Sequence, residues 1–178
     1  AWTYQTIFSN MIADWRKQWG ADFPFGVVQL TNFRNPRPDP ADDTWAELRE
    51  AQAMATRLPN VGLACIIDVG AANDIHPKDK ITVGDRLALW ALATVYGQQV
   101  VYSGPVLKSL RIDGNKAIVS FDHVGSGLTA GEMKPFGEFK TTPDIPLAWF
   151  QIAGADQAWV KAEATLNGDT VIVSSEQV

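Results

Sequence analysis

Two histidines, His76 and His123, stand in this chain of 178 residues, and His76 has an acid beside it in "NDIHPKDK", which runs from Asn73 to Lys80. A histidine acts as a general base when a carboxylate orients it and a nucleophile lies within hydrogen-bond reach. Asp74, two residues before His76, and Asp68, further back, are the local carboxylates. Residues two apart point the same way in an extended segment and can meet in a turn, so D-x-H permits the pair without requiring it. The same pattern suits a surface histidine that precedes a helix, and both readings stay open on the residues alone. Asp79 lies beyond Pro77 at the expected helix start, where a carboxylate favours the helix N-terminus instead.

A nucleophile is harder to find. The chain has no G-x-S-x-G, and Ser126 in "HVGSGLTA" lacks the strand-then-helix setting of a nucleophile elbow. Ser9 falls inside the first expected helix. With two distant histidines and one cysteine, Cys65, the chain has poor material for a zinc site and none for an internal disulfide. Cys65 sits in "VGLACIIDV" and reads as a small buried hydrophobe. Gln29 is more informative, because an amide inside an apolar strand needs hydrogen-bond partners. It is either a core amide linking loops or a substrate contact. Asn32, just after that strand, carries the same pair of readings, whereas Arg49, with Glu50 and Gln52 in the helix that follows, reads as part of a solvated face or as the member of it that reaches the site.

The elements that must position these residues change character along the chain. Tyr4, Phe8, Met11, Ile12, Trp15 and Trp19 recur at helical spacing, and Gly20 can stop that helix. Trp15, Trp19, Trp45 and Trp90 fit apolar helix faces. "FPFGVVQL" predicts a buried strand, the proline-rich "TNFRNPRPDPADD" a loop, and Asp42 or Asp43 can cap a second helix that ends near Pro59. A second buried strand is expected over Val61–Val69 and a third helix from about Lys78 to Tyr96, stopped by Gly97. Alternating strands and helices favour a parallel sheet, whose ligands bind beyond the carboxyl ends of the strands. The loops after Leu30 and around His76 meet that condition.

From Val101 the pattern becomes short strands with turns at Asp113-Gly114 and Asn167-Gly168. The fold class expected is therefore α/β: a partial parallel sheet with flanking helices over residues 1–99, then an antiparallel β-sandwich-like module over 100–178, incomplete in this chain.

Hydrophobic residues at 46% and charged residues at 20% are those of a globular protein. Net charge is -5 and no basic cluster is long enough for a phosphate backbone, so nucleic acid is not an expected partner. No apolar run has membrane length.

The stretch "IIDVGAANDIHPKDKITVGDRLALWALATVYG" resembles the sialate O-acetylesterase family of carbohydrate esterases. "MIADWRKQWGADFPFGVVQLTNF", "WAELREAQ", "YSGPVLKSLRIDGNKAIVSFDHVGSGL" and "FQIAGADQAWVKAEATLNGDTVIVSSEQV" are similar to that family in the same order. The resemblance implies an SGNH-type α/β-hydrolase core that removes acetyl groups from sugar hydroxyls, on sialic acid or on plant-type glycans. It implies His76 as the catalytic histidine, with Asp74 as its chosen acidic partner and Asp68 as a rival. It implies no cofactor, an acetylated carbohydrate as substrate, and export to the periplasm, the outside or a lysosome. The family's nucleophile motif, resembling G-Q-S-N-M, does not occur here, and "SNM" at Ser9–Met11 lacks the preceding Gly-Gln. The expectation is a part of a longer enzyme, associated with its own N-terminal portion and inactive alone. A noncatalytic carbohydrate-binding or structural module is the second reading, and a zinc hydrolase a distant third.

Overall fold

The computed structural model describes residues 2–35, 44–134, 138–143 and 145–178. They form two compact units, one holding the described residues through Tyr102 and the other beginning at Ser103.

The first unit opens with α1 (Trp2–Trp19). Its apolar stripe brings Ile12, fully buried, onto Val27, Ala55 and Val61, with Phe8 and Met11 packed alongside. Gly20 turns the chain at φ +65°, a conformation that glycine adopts without Cβ strain. Trp19 follows the pattern in sequence but not in burial. It is the last residue of the helix, lies past the core, and is largely exposed, while Trp15 is about half exposed. Arg16 is buried and its guanidinium donates to the carbonyls of Phe23 and Asn60. Those carbonyls lie just before the two strands, so one cation anchors both strand entries to α1.

β1 (Phe25–Val28) and β2 (Val61–Ala64) pair in parallel, Phe25 opposite Val61 and Val28 opposite Ala64. Between them run α2 (Thr44–Ala53) and a short 3-10 turn, Met54–Arg57. The expected cap at Asp42 or Asp43 lies outside the described residues. β2 stops at Ala64, five residues earlier than its apolar run suggests. The reason is local: the Cys65 carbonyl is taken by Arg86, and Val69 N–H turns back to the Ile66 carbonyl. Cys65 therefore leaves the sheet and is exposed, contrary to the buried reading.

α3 (Lys80–Thr94) starts at an N-cap, Asp79, whose carboxylate accepts from the Thr82 N–H at 3.0 Å and the Thr82 hydroxyl at 2.6 Å. Trp90 of this helix lies against the sheet where Gly26 and Gly62 leave room for it.

The second unit is β3 (Val106–Asp113), β4 (Lys116–Asp122), β5 (Gly131–Met133), β6 (Phe139–Thr141), β7 (Gln151–Ile152), β8 (Val160–Lys161), β9 (Glu163–Asn167) and β10 (Thr170–Ser174). A four-stranded antiparallel sheet runs β3-β4-β10-β9, with β5-β6 and β7-β8 as separate pairs. The expected turns are where the pattern puts them: Gly114 at φ +60° joins β3 to β4, and Gly168 at φ +59° joins β9 to β10. Ala117, Val171, Val173 and Ile152 form the core, with Phe150 and Val160 covering one sheet face.

That cover does not reach β3. Leu107, Leu110 and Ile112 stand opposite Phe121, Val119 and Ala117 and so share the core face, yet they are 65%, 60% and 64% exposed. The mixed α/β class with one parallel and several antiparallel sheets is thus observed.

Candidate active site

The chain after β2 passes through fifteen residues, Cys65 to Asp79, before α3. Nearly every turn of it is held. Arg86, on the second turn of α3, donates to the Cys65 carbonyl at 2.6 Å and grips Asp68 through two parallel bonds of 2.6 Å. A bidentate guanidinium–carboxylate pair fixes direction as well as distance. The Asp68 hydrogen bond holds Arg86 above its already high ordinary pKa, against desolvation that acts the other way.

The next fixed point is Gly70. Its N–H donates to Asn32 Oδ1 at 2.7 Å, and a Cβ there would fall 2.2 Å from both the Asn32 carbonyl and the Thr31 hydroxyl. Only glycine permits that approach. Arg34 N–H then donates to the Ala72 carbonyl at 2.9 Å. The two loops that leave the carboxyl ends of β1 and β2 are thereby joined at two places.

Asp74 and His76 come next. Asp74 Oδ1 accepts from the His76 N–H at 2.9 Å and lies 3.6 Å from His76 Nδ1. The acid and the ring are brought together, with the carboxylate closing a two-residue turn. The His76 side chain is 85% exposed. It is presented to solvent from a pinned backbone.

The amides expected near the site link elements of the unit. Gln29 is buried and donates through Nε2 to the Arg49 carbonyl at 3.0 Å. Gln52, buried as well, accepts from the Leu30 N–H at 2.8 Å. The two glutamines cross-link the end of β1 to α2. Arg49 joins this link through its backbone. Asn32 joins loops through its side chain, which also accepts from the Thr31 hydroxyl at 3.1 Å. Of the linking residues, Arg86 has no signal in the sequence, and Gln52 is marked there only as one of the helix residues of a solvated face or the site. Gln52 could have been found from its position one helical turn from Ala55, a buried small residue.

A cavity of about 510 Å³ in this unit lies elsewhere. Pro24, Arg57, Asn60, Trp90 and Thr94 line it, at the amino ends of the strands. Loops at the carboxyl ends, not this cavity, carry the chemistry-bearing residues. Among the described residues, no group of three or more His, Cys, Asp and Glu is placed to hold a metal ion, and no helix is long and apolar enough to cross a membrane.

A solved carbohydrate acetylesterase from Xanthomonas citri superposes with a TM-score of 0.82 at 41% identity, over 99% of this chain and 38% of that one. The fold is carbohydrate-esterase-like. Sialate O-acetylesterase from Mus musculus is 29% identical over 139 residues, 67% of this chain and 25% of that relative. The Homo sapiens enzyme of the same name is 28% identical over 139 residues, and the Rattus norvegicus one 30% over 128. No family model matches. The chain spans about a quarter of the length of the curated relatives it matches. Within this esterase-like fold, the Asp68–His76 loop and the Asn32 loop are the segments that combine titratable groups with a fixed backbone.

Proposed function

We propose that this chain carries the histidine–acid part of a carbohydrate O-acetylesterase. The observation that carries the reading is the Asp74–His76 pair on a loop pinned at the carboxyl end of a parallel sheet, in a fold shared with a carbohydrate acetylesterase. In this reading residues 1–99 belong to an SGNH-type hydrolase domain and 100–178 to a β-rich accessory module. The protein acts outside the cytoplasm on an acetylated sugar of the sialic acid or plant-glycan kind.

The nucleophile is a serine outside these 178 residues, which hold no motif resembling G-Q-S-N-M. Its hydroxyl attacks the acetyl carbonyl. His76 accepts the seryl proton through Nε2 and returns it to the departing sugar oxygen, and water then releases acetate by the same relay. Asp74 holds Nδ1–H. Contraction of the 3.6 Å separation to a hydrogen bond requires a shift of roughly 0.8 Å, within what catalytic pairs show on binding substrate. Asp68, the rival acid, already accepts from Arg86 through both its oxygens. The bonds of Asn32 and Gln29 suit residues that brace the loops.

The test is His76→Ala in the complete protein, with acetate release from an acetylated sugar as the assay. Loss of most turnover with the fold intact is expected. Undiminished release overturns the reading.

A second reading, a noncatalytic carbohydrate-binding module, draws on Trp149 and Trp159, which are largely exposed in the second unit. Sugar binding by the complete protein without acetate release is its signature.

A further inference from the structure

We infer that Arg86 is a positioning residue for the reaction, acting on His76 through the backbone of the loop between β2 and α3. The inference rests on the reading of His76 as the base.

The argument starts from what does and does not hold His76. Its ring is 85% exposed, and among the described residues its one ion-pair neighbour is Asp74, which belongs to the same short turn. An Asp two residues away moves with the histidine and cannot fix where the pair points. The direction must come from the loop's anchors to the rest of the unit. On the α3 side, the Asp79 cap follows His76 by three residues. On the β2 side, the bonds from the Gly70 N–H to Asn32 and from the Arg34 N–H to Ala72 join one loop to another loop. Among the described residues, Arg86 alone connects the exit of β2 to the body of a helix by a charged, bidentate contact.

Its three short bonds fall on Cys65, just before the turn that ends the strand, and on Asp68, within that turn. The guanidinium therefore sets both where the loop departs and which way it heads. Arg86 and Asp68 are partly exposed, so the pair lies where solvent still screens it, and its value as a pure stabiliser is small. Geometry is what the contact supplies. Lysine, a point charge with no planar fork, cannot reproduce it. A catalytic group displaced by about 1 Å loses up to about 100-fold in rate.

The test compares Arg86→Lys and Asp68→Asn with His76→Ala in the complete protein, using acetate release from an acetylated sugar and thermal unfolding side by side. Each of the first two variants is expected to lower kcat about 10- to 100-fold with KM changed little. Placed on top of His76→Ala, neither is expected to lower the residual rate further, because a residue that acts through another has nothing left to act on. If His76→Ala abolishes turnover while Arg86→Lys and Asp68→Asn keep full kcat, the positioning role falls and His76 stands. A kcat loss that vanishes on correction for folded fraction, or that adds fully to His76→Ala, overturns it as well. If His76→Ala is itself active, the reading of the base fails first, and that outcome is separate from the others.

Discussion

A Cβ on Gly62 would lie 1.9 Å from Cε2 of Trp90: the indole of α3 occupies the space that any other residue at 62 would fill. The helix that follows the His76 loop is seated on the sheet by this contact. Gly62→Ala forces the ring or the helix outward, and overpacking of this kind costs about 1–3 kcal/mol. A lowered thermal midpoint, with the larger loss at Gly62 than at Gly26, where the nearest side-chain atom is 3.1 Å away, is the expected result.

Gly84 is the counter-case. It lies within α3, and a Cβ there meets nothing within 4 Å. Gly84→Ala removes backbone freedom from the unfolded chain without a clash and stabilises by about 0.5–1 kcal/mol. Chemical denaturation of the two glycine variants separates crowding from helix propensity by the sign of the change.

Asp79→Ala deletes the cap of α3, leaving the Thr82 N–H without the acceptor it has now. Stability falls by about 1 kcal/mol. Asp79→Asn or Asp79→Ser recovers most of it, since either oxygen can still accept. Urea unfolding reads both.

Gly70→Ala drives a methyl group into the Asn32 carbonyl and the Thr31 hydroxyl. The two loops at the carboxyl ends of the strands must then part. Hydrogen exchange at the Gly70 and Arg34 positions is expected to accelerate. Asn32→Ala, which takes away the acceptor and adds no bulk, is expected to accelerate exchange at residue 70 with a smaller effect at Arg34.

The Arg86–Asp68 pair also makes a statement about alkaline conditions. The folded state raises the Arg86 pKa through the Asp68 hydrogen bond. A group raised on folding contributes fully below its unfolded value and loses that contribution only as pH climbs through the folded one. Both lie far above neutral, so Arg86 stays charged across any working range. The difference in stability between the parent and Arg86→Gln is expected to be flat from pH 7 to about 9. A difference that shrinks over that interval contradicts the assignment of Arg86 as the permanent charge of the pair.

Much of this architecture is written in short-range signals. The stripe of Phe8, Met11 and Ile12 predicts α1 because periodicity reports a buried face, and Asp113-Gly114 predicts a hairpin because glycine tolerates positive φ there. Asp79 as a cap follows from its place before an apolar helix. The apolar run after Val61 misleads, since hydrophobicity alone does not reveal that Arg86, eighteen residues beyond Asp68, ends the strand. The same holds for Trp19 and Cys65, whose exposure is decided by where an element stops. At the site, the Asp74–His76 proximity was legible from a spacing of two. The bracing by Gln52 and Arg86 was not, because each bond joins segments far apart in the chain.

The uncovered stripe on β3 has a practical outcome for anyone handling these 178 residues as a soluble sample. Leu107, Leu110 and Ile112 lie exposed on β3, the end strand of the four-stranded sheet. Such a surface recruits neighbouring molecules in solution, so turbidity rises with concentration, and a charged residue at position 110 is the remedy.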